Sequence, residues 1–336
     1  MVMFKLKNLI HLRASAVVVS LACLSSSATA QDTAGYGYLL LPASARSWAL
    51  GGTCISVVEP ELSMAEQNPA LLCPEMAGQL ALSYSRLYGD ANMGYAAYGG
   101  RFLSVGGWSV GMRFLDYGDF DGRDEWGVST GKFGVKDMSL QAAVGYPINE
   151  HLRVGAQAKM LYTSYESYSA FAMGVDVGLN YYDETTGNSF SITATNLGGQ
   201  FSSLYEERRE SLPTQLNVGW TRELKHLPFC ITVTGFHLLD WDQDFVDGNG
   251  VSQHYSNAEQ VFNHLIFGLE WMAHDNFWLA ASYNYRHQRR FIGQGGFLRG
   301  VGLGGGVNYR QLALQLAYAT VHAGNGTLTL QLDYTF

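Results

Sequence analysis

The chain has 336 residues, of which 29 are Asp or Glu and 21 are Lys or Arg, and its formal net charge is −8. Charged residues make up only 15%, while aromatic residues reach 13% and Gly occurs 39 times. A disordered chain would be less aromatic and more charged, and a general nucleic-acid binder would be basic. Beyond residue 30 the sequence lacks a run of about 18 apolar residues, which argues against α-helical membrane spans. The composition favours a Gly- and Tyr-rich all-β protein.

Residues 1–30 have the pattern of a secretory signal peptide. A positive start is followed by the apolar residues 14–24 and by an A-x-A cleavage site at Ala28-Thr29-Ala30. The apolar part is too short for a membrane anchor. Lipidation at Cys23 is the alternative, although Ser20 stands where that motif usually has Leu.

Three cysteines follow the signal peptide: Cys54, Cys73 and Cys230. An odd number leaves at least one of them without a partner. A disulfide between Cys54 and Cys73 is the alternative if the chain lies in an oxidising compartment. Three cysteines are too few for a disulfide scaffold, so we expect small, buried, apolar residues.

From residue 79 to the end, apolar and polar side chains alternate with the period of two that is typical of β-strands. In 312–318, for example, Leu314 and Leu316 share one face and Gln315 the other. The segments are about ten residues long, longer than soluble strands. Their polar face is mostly small, and their apolar face often ends in aromatic residues, as at a bilayer interface. The pattern predicts an apolar face toward lipid and a polar face toward a lumen.

These segments predict an all-β fold, a 14-stranded antiparallel transmembrane β-barrel over residues 79–336. Connections after even-numbered strands are short and those after odd-numbered strands are mostly longer, as in outer-membrane barrels with short periplasmic turns. The chain also ends in the aromatic Phe336 of an alternating strand. We therefore expect the Gram-negative outer membrane, with both termini in the periplasm. The predicted strands are 79–88, 94–103, 107–117, 132–146, 151–163, 171–182, 188–196, 213–223, 229–239, 262–273, 276–287, 299–308, 311–320 and 327–336.

Residues 31–78 do not alternate and contain several large apolar residues that need burial. A short helix is predicted over 43–49, ended by Gly51-Gly52, and Asn68-Pro69 marks a turn. We expect this segment to form a hatch inside or below the barrel. A flexible periplasmic tail is the alternative.

Several charged residues fall on the predicted inner face, where charges are expected to pair and fill the lumen. Serine-hydrolase, zinc-protease and P-loop motifs are absent from the sequence, so we expect a non-enzyme without a cofactor. The acid-rich residues 240–249 depart from the spacing of a calcium loop, and no metal site is predicted. The luminal charges are Arg113, Lys159, Asp176, Glu270, Arg286 and Asp333.

Short motifs add a family resemblance. Residues 41–46, 49–52 and the motif Asn68-Pro69-Ala70 resemble the start of FadL-like fourteen-stranded barrels of Bacteroidetes. Asp116-Tyr117-Gly118 and the run 196–200 are similar to the PorQ-type proteins of the type IX secretion system. The related PorV proteins share much of the same pattern.

The resemblance implies a non-enzymatic outer-membrane barrel that holds a PorZ-type surface protein within an attachment complex containing PorU and PorV. Its partners would be these proteins and outer-membrane lipid, and nucleic acid is not expected. FadL-type transport of hydrophobic compounds and PorV-like cargo shuttling stay open as alternatives. Aromatic and arginine residues of loops 197–212 and 240–261 are suited to a protein interface. The candidate partner-binding residues are Tyr205, Arg208, Arg209, Trp241, Phe245 and Tyr255.

Overall fold

Fourteen strands of the described residues close into one antiparallel barrel, which confirms the predicted fold class. The first strand pairs with the last, with Leu80 opposite Tyr334, and this pairing closes the wall. The structure is a computed structural model. It describes residues 34–123, 126–166, 168–202, 210–241, 244–246, 252–254, 256–274, 276–289, 299–322 and 325–336, and the predicted signal peptide and Cys23 lie outside them.

The strands follow one another around the barrel in chain order, and residues 244–246 and 252–254 form a separate two-stranded sheet. The strands are β1 (Gln79–Arg86), β2 (Asn92–Phe102), β3 (Gly106–Arg123), β4 (Ser129–Pro147), β5 (Leu152–Tyr165), β6 (Tyr168–Asp183), β7 (Asn188–Ser202), β8 (Gln215–Glu223), β9 (Phe229–Gly235), β10 (Asp244–Val246), β11 (Ser252–His254), β12 (Leu265–His274), β13 (Phe277–Asn284), β14 (Val301–Tyr309), β15 (Leu312–His322) and β16 (Asn325–Thr335).

The two faces of the wall differ as the alternation predicts. On β15, Leu314 and Leu316 are exposed on the outside, while Gln315 and Ala317 are buried on the inside. The outward residues of the other strands are likewise large and apolar. Such an apolar outer band is the surface that a transmembrane barrel presents to lipid.

Five neighbouring strands, β3 to β7, are longer than predicted and span 14 to 19 residues. The predicted loops 118–131 and 164–170 are therefore wrong over most of their length. β3 runs to Arg123, β4 begins at Ser129 and β6 begins at Tyr168. We call the part of β3 after Gly118, together with the residues of β4 that pair with it, the extended hairpin.

The sequence does not predict the extended hairpin because a β-bulge interrupts the alternation in β3. The register shifts between Asp116 and Asp119, where Gly118 has a φ of +84°. The extra residue reverses the alternation along β3, so that Phe120 stands on the inner side of the wall, opposite Phe133 of β4. When the period-two pattern changes phase within one strand, the sequence wrongly predicts that the strand ends there.

The described helices are short. They are α1 (Ala45–Ala49), α2 (Asn257–Asn263) and α3 (Tyr285–Arg289). Residues Tyr285–Arg289 replace the last predicted residues of β13. No helix among the described residues has the length and apolar character needed to cross a bilayer.

Residues 36–78, which we call the inner segment, lie against the inner face of the wall. α1 begins after Ser44, whose Oγ accepts hydrogen bonds from the backbone N–H groups of Arg46 and Ser47, and Gly51 and Gly52 follow the helix with positive φ. The helix and four 3₁₀ stretches (Ala34–Leu40, Met64–Glu66, Pro69–Leu71 and Pro74–Met76) pack on inward residues. The buried apolar residues therefore form a core inside the barrel.

The two ends of the described wall differ in the length of the connections between strands. The end at which β1 begins and β16 ends carries connections of two to five residues, and we call it the turn end. There the backbone N–H of Phe336 donates to the carbonyl oxygen of Gly78 at 3.0 Å. The connections 103–105, 148–151, 184–187, 224–228 and 310–311 lie at this end.

Candidate functional site

The motif Asn68-Pro69-Ala70 anchors the inner segment to the wall. The Asn68 side chain accepts a hydrogen bond from the backbone N–H of Ala70 at 3.0 Å and donates to the carbonyl oxygen of Ile55 at 2.8 Å. Pro69 opens a 3₁₀ turn, where its missing N–H costs nothing. Asn68 is completely buried, so this motif holds two parts of the inner segment together.

A row of glycines on the inner face of the wall packs against that turn. The four glycines pair with one another across four adjacent strands, and a Cβ on each would come within 3 Å of the inner segment. At Gly155 the added atom would lie 2.2 Å from the carbonyl carbon of Pro69. The absence of side chains therefore lets backbone pack on backbone. The row consists of Gly107, Gly145, Gly155 and Gly178.

Arg113 connects β3 to the inner segment. Its Nη2 lies 2.6 Å from Oε1 of Glu66, and its Nη1 donates to the carbonyl oxygen of Tyr38 at 3.0 Å. Both charged side chains are buried. A buried cation of this kind is stable only with such partners.

Lys159 and Asp176 are the two predicted luminal charges that contact each other. Their Nζ and Oδ2 atoms are 2.6 Å apart, and both side chains are buried. Lys159 also donates to Oδ1 of Asn196 at 3.1 Å, and Asp176 Oδ1 accepts from the backbone N–H of Asn196 at 2.7 Å. Asn196 has a φ of +58°, so this network fixes a left-handed kink in β7.

Glu270 pairs with a residue of the inner segment that lies outside the predicted set. Its Oε1 accepts from Nε of Arg46 at 2.7 Å. The same guanidinium lies 3.5 Å from Glu61 and 3.9 Å from Glu59, and its Cζ is 5.0 Å from the centre of the Trp278 ring. The guanidinium of Arg46 on α1 therefore lies within 4 Å of three carboxylates.

Asp333 is held by amides. Its Oδ2 accepts from Nε2 of Gln331 at 2.8 Å and from Nε2 of Gln315 at 3.1 Å. The amide of Gln331 also donates to Glu61 and Ser63 of the inner segment. Asp333 is thus joined to the inner segment through a neutral side chain.

Arg286 lies on α3. It is buried, and its Cζ is 5.8 Å from the centre of the Phe236 ring. All six predicted luminal charges are buried. Lys159 contacts Asp176, and Glu270 and Asp333 are both connected to Glu61, through Arg46 and Gln331 respectively.

Sequence analysis missed an apolar cluster inside the barrel. Tyr36 and Tyr38 of the inner segment pack with the inward residues Met93, Leu115 and Leu161. The alternation pattern predicts small or charged side chains on the inner face. Leu115 and Leu161 each follow an exposed residue, Phe114 and Met160, and this alternation was the available signal.

The described lumen also contains cavities. One of about 730 Å³ lies at the turn end, beside Arg46, Glu61 and Asp333. Another, of about 40 Å³, lies beside Lys159 and Asp176. The larger volume suits a small organic ligand and the smaller does not.

Two of the candidate partner-binding residues, Trp241 and Phe245, lie among the described residues. Trp241 is 46% exposed, and its ring stacks on His264 with a centroid separation of 4.6 Å. Phe245 belongs to β10. The remaining candidates lie outside the described residues: Tyr205, Arg208, Arg209 and Tyr255.

The cysteines of the described residues are free. Burial raises the pKa of the Cys54 thiol to about 12, and it raises the pKa of the Cys73 thiol to about 12 as well. Cys230 is buried on β9. Among the described side chains, no group of three or more His, Cys, Asp or Glu residues is arranged to hold a metal ion.

No protein-family model matches the chain, and no curated protein matches it either. Among solved structures, the chain is similar to the Pseudomonas putida toluene transporter TodX, with 13% identity, a TM-score of 0.54, and coverage of 86% of this chain and 96% of that one. A deltaS2 mutant of the TodX monoaromatic hydrocarbon channel is similar with 15% identity, a TM-score of 0.52, and coverage of 91% and 100%. At these identities the likeness shows the fold alone, a closed antiparallel β-barrel like that of TodX.

Proposed function

We propose that this protein is a non-enzymatic scaffold of the outer membrane, of the PorQ type, whose external end holds a surface protein. The surface protein would be of the PorZ type, within an attachment complex that includes PorU and PorV. In this arrangement both termini and the turn end face the periplasm, and the apolar outer band contacts outer-membrane lipid. The family motifs Asn68-Pro69-Ala70 and Asp116-Tyr117-Gly118 support the assignment.

The observation that carries the proposal is the filling of the lumen by the inner segment. Two buried ion pairs, Arg113–Glu66 and Arg46–Glu270, tie that segment to opposite parts of the wall. The glycine row adds close backbone packing at a third place. Releasing the segment would leave buried charges without partners, which is costly. A lumen occupied by a segment fixed in this way suits a scaffold better than a passage.

The extended hairpin adds a surface suited to protein binding. Phe120 and Phe133 stack with ring centres 5.7 Å apart, and Phe133 contacts the Tyr165 ring at 5.3 Å. Phe120 is exposed although it stands on the inner side of the wall. Exposed aromatic residues of this kind are enriched at protein interfaces. We therefore propose that the partner contacts this hairpin as well as loops 197–212 and 240–261.

Transport of a hydrophobic compound is the second candidate. The fold likeness to TodX favours it, and so does the apolar cluster around Met93, Leu115 and Leu161. That cluster is filled by Tyr36 and Tyr38, so transport would require their displacement. PorV-like cargo shuttling is a further possibility within the scaffold class.

Shortening loops 201–209 and 241–258 in separate variants tests the proposal. Insertion is first verified by heat-modifiable migration in electrophoresis. The scaffold function predicts that a surface protein is lost from the cells into the medium. A control variant with a substituted turn 184–187, at the opposite end, should retain it. Retention of every surface protein in both loop variants, together with saturable uptake of toluene, would favour transport instead.

A further inference from the structure

The extended hairpin continues past the end of β2 and leaves one edge of β3 unpaired. β2 begins at Asn92, which lies opposite Asp116, so residues 119–122 of β3 have no strand beside them on that side. On the other side the same stretch pairs with β4, and Phe120 lies opposite Phe133. No backbone group of the described residues bonds to the unpaired side. Because alternate residues of an antiparallel strand direct N–H and C=O to the same side, this edge presents unused donors and acceptors.

The β3 edge has the regular backbone that strand pairing requires. None of residues 119–122 has a positive φ. The opposite edge of the hairpin, on β4, is less suited, because Gly131 has a φ of +110° and the carbonyl oxygen of Gly134 accepts from the backbone N–H of Glu166 at 3.4 Å. A two-stranded hairpin is only marginally stable by itself in water. A third strand on the β3 edge would therefore stabilise the extended hairpin.

The side chains of this edge define the chemistry of a matching strand. Phe120 is 44% exposed on the inner face, and the exposed residues Asp119 and Asp121 flank it on the outer face. Neither carboxylate forms an ion pair with a described residue, although Asp121 lies opposite Lys132. Arg123 follows after a register shift and donates from Nη1 to the carbonyl oxygen of Gly127 at 3.3 Å. A strand beside this edge is favoured by Lys or Arg opposite the two carboxylates and by an apolar residue opposite the ring.

We propose that the β3 edge of the extended hairpin binds an extended segment with alternating basic and apolar side chains, which pairs with it as an added antiparallel strand. The inference rests on the proposed function in assigning this segment to the surface protein. In strand addition, backbone hydrogen bonds supply the affinity and the alternate side chains supply the specificity. The edge therefore accounts for both the affinity and the charge preference of the complex.

Fluorescence anisotropy of labelled peptides, with the full barrel in neutral detergent micelles and empty micelles as background, tests the proposal. The probe is the blocked peptide acetyl-KVKVKV-amide. One control peptide has the same sequence with every backbone nitrogen methylated, which removes the donors needed for strand pairing. The other is acetyl-EVEVEV-amide, which keeps the donors and reverses the charge. Only the probe should bind, and equal binding of either control, or no binding of the probe, would overturn the proposal.

A barrel carrying both Asp119→Asn and Asp121→Asn should bind the probe about tenfold more weakly, since two exposed ion pairs are lost. Glu184, an exposed carboxylate in a turn at the opposite end, provides the control, and Glu184→Gln should bind normally. Heat-modifiable migration verifies that each variant is folded. Unchanged affinity in the double variant would contradict the proposed site. A barrel that recovers a surface protein from membranes but does not bind the probe would retain the scaffold function and reject strand addition.

Discussion

Arg113 of the wall and Glu66 of the inner segment form an ion pair with a separation of 2.6 Å, and their side chains are 1% and 6% exposed. The pair crosses from β3 to a 3₁₀ turn 47 residues earlier in the chain. It therefore fixes the inner segment at one place inside the barrel. Because neither side chain reaches solvent, each depends on the other for its partner.

Breaking this pair should release part of the inner segment. Glu66→Gln leaves the Arg113 charge buried without a carboxylate, so we expect a loss of about 3–5 kcal/mol in unfolding free energy. Urea unfolding of the folded barrel measures this loss. The matched control is Asp116→Asn, which breaks the half-exposed Lys136–Asp116 pair and should cost less than about 1 kcal/mol. Similar losses in both variants would mean that the buried pair does not hold the segment.

The glycine row predicts a steric effect. Gly155→Ala places a Cβ 2.2 Å from the Pro69 carbonyl carbon, where backbone has to move. We expect a loss of roughly 1–3 kcal/mol from overpacking, measured as a lower unfolding midpoint. Gly94→Ala on β2 meets no atom within 4 Å and should change stability little. An unaffected Gly155→Ala barrel would show that the inner segment does not rest on this wall.

The two faces of β15 predict opposite tolerance to charge. Leu316 is 48% exposed on the outer band, and Leu316→Arg near the membrane midplane should cost roughly 2–4 kcal/mol. Gln315→Arg points inward toward Asp333 and should cost much less. Unfolding from lipid bilayers compares the two variants directly. Equal costs would contradict the assigned faces.

The raised thiol pKa of Cys54 predicts slow alkylation. A pKa of about 12 keeps the thiol protonated at pH 8, and reaction should accelerate only as the pH approaches that value. Cys54 is also completely buried, so iodoacetamide should label it only after unfolding. Mass spectrometry of labelled peptides provides the measurement. Glu66→Gln should increase Cys54 labelling if the inner segment loosens, whereas Asp116→Asn should not, and rapid labelling of the native barrel at pH 8 would contradict the burial.

Sequence alternation predicted the barrel well because lipid and lumen impose opposite demands on successive residues. This alternation is clear on β15, where Leu314 and Leu316 point outward and Gln315 between them points inward. The signal failed at Gly118, where a bulge reverses its phase, and at Tyr285, where a helix replaces the strand end. Local pattern cannot anticipate a change of phase that depends on pairing with the neighbouring strand.

The inner contacts were less predictable than the strands. Parity places Arg113, Lys159 and Glu270 inside, but it does not identify Glu66 or Arg46 as partners. Those pairings depend on how an irregular segment folds against a closed wall. The row from Gly107 to Gly178 likewise becomes visible only once the register aligns four strands.

Affinity capture of the tagged barrel from outer membranes, followed by mass spectrometry, tests the scaffold function most directly. A parallel capture uses the variant with loop 201–209 shortened, and a third uses the variant with turn 184–187 substituted. The account predicts that a surface protein is recovered with the native barrel and the turn variant and is depleted with the loop variant. Recovery of the native barrel without any surface protein would contradict it.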